Sequence, residues 1–156
     1  MLRFWYRFVF SNISGIVSGL GHSIYQHEVA TNLSAYMGLV FEEICKQFLI
    51  EEAKRDALPF FMGKMGRWWG NNPKEKRQEE IDILAFRRDS ALFGECKWTN
   101  APLDIDVLDD LVAQSELFPY ANKWFWLFAK SGFTKRLASE AKKHENIRLL
   151  HFADML

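Results

Sequence analysis

The fold is decided by Glu80-Ile81-Asp82-Ile83-Leu84-Ala85-Phe86, a polar break at Arg87-Arg88-Asp89-Ser90, and then Ala91-Leu92-Phe93-Gly94-Glu95-Cys96-Lys97-Trp98. Both apolar segments are rich in residues that favour β-strands, and the charged break between them is typical of a turn. If the turn is centred on Arg88-Asp89, Phe86 pairs with Ala91. By the same count Asp82 pairs with Glu95. The sequence therefore predicts a β-hairpin with two carboxylates opposite each other.

Three ionisable side chains are expected on one side of this hairpin. Successive side chains of a strand alternate between its faces, so Glu95 and Lys97 point the same way, and strand pairing adds Asp82. Two carboxylates about 5 Å apart repel each other unless a cation or a proton lies between them. The cluster suits a divalent metal ion with the lysine beside it. The solvent-facing side of an ordinary hairpin would also account for these charges, and the pattern alone leaves that alternative open.

The apolar residues of the hairpin favour burial on both faces. The side opposite the charges is expected to carry Ile81, Ile83, Leu92, Cys96 and Trp98. The charged side is expected to carry Leu84, Ala91 and Phe93 as well. In a strand that is covered on both sides, a carboxylate needs a specific partner.

The spacing of these residues resembles a known nuclease pattern. Asp82 followed after a hairpin by Glu95-Cys96-Lys97 is similar to the core of the PD-(D/E)XK nuclease superfamily, which has the restriction-endonuclease-like fold. More of the chain resembles the uncharacterised nuclease-like domain at the C-terminus of archaeal-type AAA ATPases, which are common in archaea and some bacteria. The similar segments follow that family's order and extend over nearly the whole chain: residues 4–10, 36–43, 66–70, 80–83, 94–98 and 131–134.

The resemblance implies a metal-dependent phosphodiesterase, with DNA as the favoured substrate. In such a site Asp82 and Glu95 bind Mg²⁺ or Mn²⁺, which are hard cations that prefer oxygen ligands. The backbone carbonyl of Cys96 is the usual additional ligand in the superfamily. Lys97 is expected to orient the attacking water or to stabilise charge that develops on phosphorus.

A long helix is predicted over about residues 33–55, because apolar residues recur there at helical spacing. Glu42 lies off the centre of the apolar stripe. The Gly-x-x-Phe-Glu pattern of the resembled family falls on Gly38, Phe41 and Glu42, so the resemblance implies that Glu42 completes the metal site. The alternative is an exposed helix face on which Glu42 pairs with Lys46.

The remaining pattern predicts an α/β fold, a restriction-endonuclease-like sandwich with a mixed central β-sheet flanked by helices. The segments before and after the hairpin are a strand ending near residue 70, a helix over 104–118 capped by Asp104 or Asp106, a buried strand over 122–128, a helix over 134–144 and a strand over 147–152.

The length of 156 residues fits one compact domain. We expect residues 1–30 to form an N-terminal arm or linker and residues 31–156 to form the nuclease-like domain. The chain contains no Gly-x-x-x-x-Gly-Lys-Ser/Thr phosphate loop, so it is not expected to be an ATPase itself. The resemblance instead implies an ATPase partner, or an ATPase region upstream of this segment.

The net charge and the cysteine content indicate which classes of protein the chain resembles in composition. The formal net charge is zero, which argues against a strongly basic protein that coats nucleic acid. The two cysteines, Cys45 and Cys96, have no metal-binding or redox spacing and are expected to be buried reduced thiols, as in a cytoplasmic protein. No apolar run reaches the roughly 20 residues that span a membrane.

Contacts with nucleic acid are expected from basic residues that precede the hairpin. These are Arg67, Lys74, Lys76 and Arg77. Trp68 and Trp69 could stack on bases, although strand alternation requires at least one of them to be core. Two other functions stay open: a non-catalytic interaction domain that serves an ATPase, and a homo-oligomerisation unit that buries the aromatic N-terminal arm against another copy.

Overall fold

The computed structural model describes residues 2–73 and 75–155. Their contacts divide the chain into two compact units, one reaching to Leu39 and the other beginning at Val40. The predicted division into an arm (1–30) and a domain (31–156) stays a prediction. No helix in the described ranges is long and apolar enough to cross a membrane.

The first unit is helical. Its short helical segments are Leu2–Phe4, Trp5–Val9, Phe10–Asn12, Ile13–Gly15, Ile16–Leu20, Gly21–Ile24 and Tyr25–Val29. Gly19 has φ 84°, a left-handed conformation that glycine adopts without steric cost, and the helical path kinks there. The rings of Phe4, Phe8 and Tyr36 contact one another and bury Phe8.

The second unit is built on a mixed five-stranded sheet, as the sequence predicts. Its strands are β1 (Lys64–Asn72), β2 (Arg77–Arg87), β3 (Ser90–Lys97), β4 (Asn122–Ala129) and β5 (Ile147–His151). They lie in the order β1-β2-β3-β4-β5. The pairs β1–β2 and β2–β3 are antiparallel, whereas β3–β4 and β4–β5 are parallel. Strand β1 therefore forms one edge of the sheet.

The hairpin has the predicted register near its tip. Phe86 pairs with Ala91, and the ladder continues to Ile83–Gly94. The predicted pair Asp82–Glu95 is not part of the ladder, which ends one step earlier at Ile83–Gly94. The two strands therefore separate where the charged residues begin.

A β-bulge in β2 changes the predicted faces of the hairpin. Gly66 pairs with Leu84 and Trp68 with Ile81, so β2 uses one more residue than β1 over this span. The bulge interrupts strict alternation. Ile81 consequently packs in the same cluster as Leu84, and the prediction that it faces the same side as Ile83 is wrong.

Helices cover both faces of the sheet and complete the predicted sandwich. They are α1 (Ala30–Lys54), α2 (Ile105–Ser115) and α3 (Lys135–Ala141), followed by a short 3₁₀ turn at Phe152–Met155. On one face α1 contributes Phe41, Cys45 and Leu49 to a core with Ile83, Leu92 and Cys96. On the other face α2 and α3 contribute Leu108, Leu111 and Leu137 to a core with Ile81, Leu84 and Phe93.

Two of the three helix starts carry side-chain caps. The Asp104 carboxylate accepts hydrogen bonds from the Ile105 N–H and the Thr134 hydroxyl, both at 2.8 Å, so Asp104 rather than Asp106 caps α2. Thr134 in turn caps α3 by accepting from the Leu137 N–H at 3.2 Å. These shared caps tie the two helices on that face together.

We expect Gly94→Ala to lower the free energy of unfolding by about 1–3 kcal/mol. A Cβ at residue 94 would lie 3.0 Å from the Cβ of Ile83, its ladder partner on the neighbouring strand. Gly66→Ala is the matched control, since no atom lies within 4 Å of its added Cβ. Urea denaturation of both variants measures the difference. Equal losses would show that the interstrand contact at Gly94 is not tight.

Candidate active site

A polar cavity of about 450 Å³ lies where β2 and β3 separate. Its lining combines the end of the hairpin with one residue of α1, one of β1 and one side of α2. The lining residues are Glu42, Arg67, Glu80, Asp82, Glu95, Cys96, Lys97, Val107, Asp110, Leu111 and Gln114. All four predicted catalytic residues, Glu42, Asp82, Glu95 and Lys97, are thus brought together.

Asp82 lines the cavity from the bulged span of β2 and is held by a hydrogen bond. Asp82 is only 9% exposed, and its Oδ2 accepts a hydrogen bond from the backbone N–H of Cys96 at 2.9 Å. Burial raises the pKa of this carboxyl, an effect that the Cys96 N–H and the positive charge of Lys97 oppose without cancelling.

Glu95 and Lys97 face the cavity from alternate positions of β3. The Lys97 ammonium pairs with Oε1 of Glu95. Burial, with the nearby charge of Asp82, nevertheless raises the pKa of Glu95 to about 7. Burial acts to lower the pKa of Lys97, but the attraction of Glu95 and Asp82 outweighs it and raises that pKa. Lys97 therefore stays protonated across the neutral range.

Glu42 reaches the same cavity from α1, where a second internal cation meets it. Nη1 of Arg67 lies 3.7 Å from Oε2 of Glu42, and Nε of Arg67 pairs with Glu80. Burial and the charge of Asp82 raise the pKa of Glu42, whereas Arg67 and Lys46 act to lower it. Arg67 thus links β1 to α1 and to β2 through its two carboxylate partners.

The carboxylates have the chemistry of a divalent-cation site, but they are not assembled as one. Oxygen donors from Asp82, Glu95 and Glu42 share a cavity, and the charge of Asp82 raises the pKa of both Glu42 and Glu95, which is the electrostatic condition that an added cation relieves. Within residues 2–73 and 75–155, however, no three histidine, cysteine, aspartate or glutamate side chains are grouped closely enough to hold a metal ion. Lys97 and Arg67 pair with Glu95 and Glu42 instead.

Three polar residues that the sequence pattern does not predict also line the cavity: Glu80, Asp110 and Gln114. Gln114 donates from Nε2 to Oε2 of Glu79 at 3.0 Å and so connects α2 to β2. Val107, Asp110, Leu111 and Gln114 recur at helical spacing, and this pattern could have identified the cavity side of α2. No comparable signal marks Glu80, because the bulge next to it disturbs the period of two.

The predicted nucleic-acid contacts lie in different surroundings. Arg67 lines the cavity, whereas Lys76 is exposed in the β1–β2 turn with φ 52°. Arg77 pairs through Nε with Oε1 of the buried Glu79 at 2.7 Å, which gives it a structural role. Lys74 lies outside the described residues.

Residues 5–110 match a family, DUF234, described as archaeal and bacterial proteins of unknown function. The chain belongs to DUF234. The matched range includes Glu42, Arg67, Asp82, Glu95 and Lys97, so these cavity residues lie within the DUF234 region itself. The description of the family assigns no activity to it.

This DUF234 member is also similar to individual proteins. It is 39% identical over 99 residues to the uncharacterized protein MJECL04 of Methanocaldococcus jannaschii, in an alignment that covers 62% of this chain and 20% of that protein. The chain thus spans about a fifth of the length of this curated relative.

Two solved structures have low similarity to the chain. One is AF1548, a protein of unknown function, with TM-score 0.44 and 16% identity over 70% of this chain and 58% of that chain. The other is the DNA modification-dependent restriction endonuclease AspBHI, with TM-score 0.37 and 13% identity over 76% and 33%.

We expect Glu95→Gln to remove part of the pH dependence of stability in the metal-free protein. The pKa of Glu95 is about 7 in the folded protein against an ordinary value of 4.5. Between these values the folded chain binds more protons than the unfolded chain, so stability falls as pH rises from about 4.5 to about 7. The wild type should therefore lose about 1–3 kcal/mol of unfolding free energy between pH 5 and pH 8 through Glu95. The glutamine variant should lack this loss.

Urea denaturation at both pH values in the presence of a chelator measures this difference. Glu51→Gln is the control, because the Glu51 carboxylate is exposed and pairs with Lys54 on the helix surface. An identical pH dependence in the wild type and in Glu95→Gln would contradict the raised pKa.

Proposed function

We propose that the chain is a metal-dependent phosphodiesterase domain that hydrolyses nucleic acid, with DNA as the favoured substrate. The observation that carries the proposal is the cavity in which Asp82, Glu95 and Lys97 meet beside Glu42. This set corresponds to the acidic and lysine positions of the PD-(D/E)XK pattern that the sequence resembles. Within residues 2–73 and 75–155, the cavity is lined by no serine, threonine or histidine that could form another set of nucleophile and base.

In the proposed site Asp82, Glu95 and the backbone carbonyl of Cys96 hold Mg²⁺ or Mn²⁺, with Glu42 bound directly or through water. The residues suit such an ion by their chemistry, because Mg²⁺ and Mn²⁺ prefer oxygen ligands. The raised pKa values of the three carboxyl groups show that their negative charges lack full compensation. When bound, the ion would supply positive charge against the phosphate and lower the pKa of a water molecule. A cation bound by Glu95 would compete with the Lys97 ammonium that now pairs with it.

Lys97 then has a task of its own. Its ammonium is protonated in the neutral range, lines the cavity and pairs with Glu95. Once released from Glu95, it can orient the attacking water or donate a hydrogen bond to a phosphate oxygen. Because the pKa of Glu95 is about 7, binding of a cation by Glu95 would be favoured at higher pH, where its carboxylate is deprotonated.

The wider setting follows from the resemblance and is part of the proposal. The domain would act with an AAA-type ATPase, supplied either by a partner or by an upstream region, in the cytoplasm. Arg67 is the basic residue best positioned to meet a phosphate, because it lines the cavity. Lys76 is exposed and could extend this contact, while Arg77 would first have to leave Glu79. Lys74 completes the proposed basic set.

A second candidate is a non-catalytic interaction or oligomerisation domain that keeps the nuclease fold. The pairing of the acidic residues with internal cations favours it, because Lys97 and Arg67 already neutralise part of the carboxylate charge. In that case the cavity would be a stable network rather than a metal site. The two candidates differ in whether the charge of Asp82 is needed for any reaction.

We expect Asp82→Asn to abolish nucleic-acid cleavage while the protein stays folded. The asparagine keeps an oxygen that accepts the Cys96 N–H but removes the negative charge. Asp82→Ala should also abolish cleavage, and it should lose about 1–3 kcal/mol of stability because that buried N–H is left without its acceptor. Plasmid and oligonucleotide cleavage with Mg²⁺ or Mn²⁺ and urea denaturation measure the two effects.

Glu43→Gln is the control for these assays. Glu43 follows Glu42 on α1 but is exposed and does not line the cavity, so its variant should cleave as the wild type does. Cleavage that survives in folded Asp82→Asn would contradict the proposed chemistry. A wild-type protein that cleaves no nucleic acid with either ion would favour the interaction domain.

A further inference from the structure

Trp69 is an exposed tryptophan on the edge strand of the sheet. It is 66% exposed and pairs across β1–β2 with Glu80, a residue that lines the cavity. A single exposed apolar side chain is ordinary on a protein surface. The surroundings of Trp69, rather than its exposure alone, make it informative.

The residues around Trp69 have intramolecular roles that account for them. The Trp68 ring packs edge-on against Phe118, with centroids 4.9 Å apart. Gly70 leaves room for that ring, since a Cβ at residue 70 would lie 2.5 Å from Trp68 Cζ2. Arg67 is fixed by its pairs with two carboxylates. Only a third of the Trp69 surface is covered, so packing explains little of its presence.

Trp69 is a strand neighbour of two residues that line the candidate active site, Arg67 on β1 and its own ladder partner Glu80 on β2. It is two residues from Arg67 on β1, so the Cα atoms of the two residues are about 7 Å apart and their side chains lie on the same face of the strand. Arg67 lines the cavity and pairs there with Glu42 and Glu80. A flat aromatic surface therefore stands beside a cationic group that borders the carboxylates.

We propose that Trp69 stacks on an unpaired base of the substrate while Arg67 contacts the adjoining phosphate. The inference rests on the proposed function and narrows its substrate to single-stranded or locally unpaired nucleic acid. Bases within a duplex are stacked on one another and do not present their faces, whereas an unpaired base can stack on an aromatic side chain regardless of its sequence. Trp69 is then a binding residue, distinct from the carboxylates that act on the phosphodiester.

Fluorescence anisotropy of the full chain with labelled oligothymidylate tests this, with a chelator present so that no cleavage occurs. Single-stranded and duplex probes of equal length are compared, together with a single-stranded oligouridylate. Trp69→Ala should weaken single-strand binding about 5- to 150-fold, and Trp69→Phe should restore most of it. Duplex binding should be weaker than single-strand binding in the wild type and should change little in Trp69→Ala.

Phe61→Ala is the matched control. Phe61 is 71% exposed and has the Arg87 guanidinium 4.4 Å from its ring centroid, but it lies near the hairpin tip and does not line the cavity. Its variant should bind as the wild type does. An equal loss of single-strand binding in Phe61→Ala and Trp69→Ala would show nonspecific binding to exposed aromatic side chains and would overturn the proposal.

Two further results would also overturn it. If the wild type binds single strands and Trp69→Ala binds them equally well, the stacking role fails while the proposed nuclease function stands. If Trp69→Ala instead changes the oligomeric state in sedimentation and leaves nucleic-acid binding unchanged, a second copy of the chain covers this surface. A wild type that binds no nucleic acid at all would remove the proposed function and this inference together.

Discussion

The hydrogen bond from the Cys96 N–H to Oδ2 of Asp82, at 2.9 Å, is the contact on which the rest of the site depends. Strands β2 and β3 stop pairing at Ile83–Gly94, so a buried backbone donor would otherwise be left without its ladder partner. Asp82 lies within the bulged span of β2 and accepts from that donor. The Asp82 side chain therefore takes the place of a backbone acceptor for the Cys96 N–H where the ladder has ended. The cavity lined by Asp82, Glu95 and Lys97 lies at this end of the hairpin.

A second constraint follows from what this opening encloses. Asp82, Glu95 and Glu42 are placed in one partly buried space, and burial raises the pKa of each. Two cationic side chains of the protein, Lys97 on β3 and Arg67 on β1, reduce the free-energy cost of burying these carboxylates. Such a network is balanced only while its members stay in place. An external divalent cation would compete with the internal ones, so the stability of the network and its chemistry are linked.

The sequence was most informative where structure is local. The register at Phe86–Ala91, the mixed sheet and the Asp104 cap follow from strand pattern, turn and capping chemistry. The side assigned to Ile81 was wrong, because a bulge shifts the faces and leaves no mark in a pattern that alternates correctly on either side. The distant pairing of Arg67 with Glu42 depends on how α1 packs against β1, which no local spacing encodes. Glu42 itself was expected only through a resemblance.

Calorimetric titration of Mn²⁺ into the wild type, Asp82→Asn and Glu95→Gln tests most directly whether the carboxylate cluster is a cation site. Titrations near pH 6 and pH 8 in buffers of different ionisation enthalpy also count the protons released. We expect binding to the wild type, tighter at the higher pH because Glu95 is then deprotonated, and loss of binding in both variants. Absence of binding to the folded wild type, or equal binding to the wild type and both variants, would contradict this assignment.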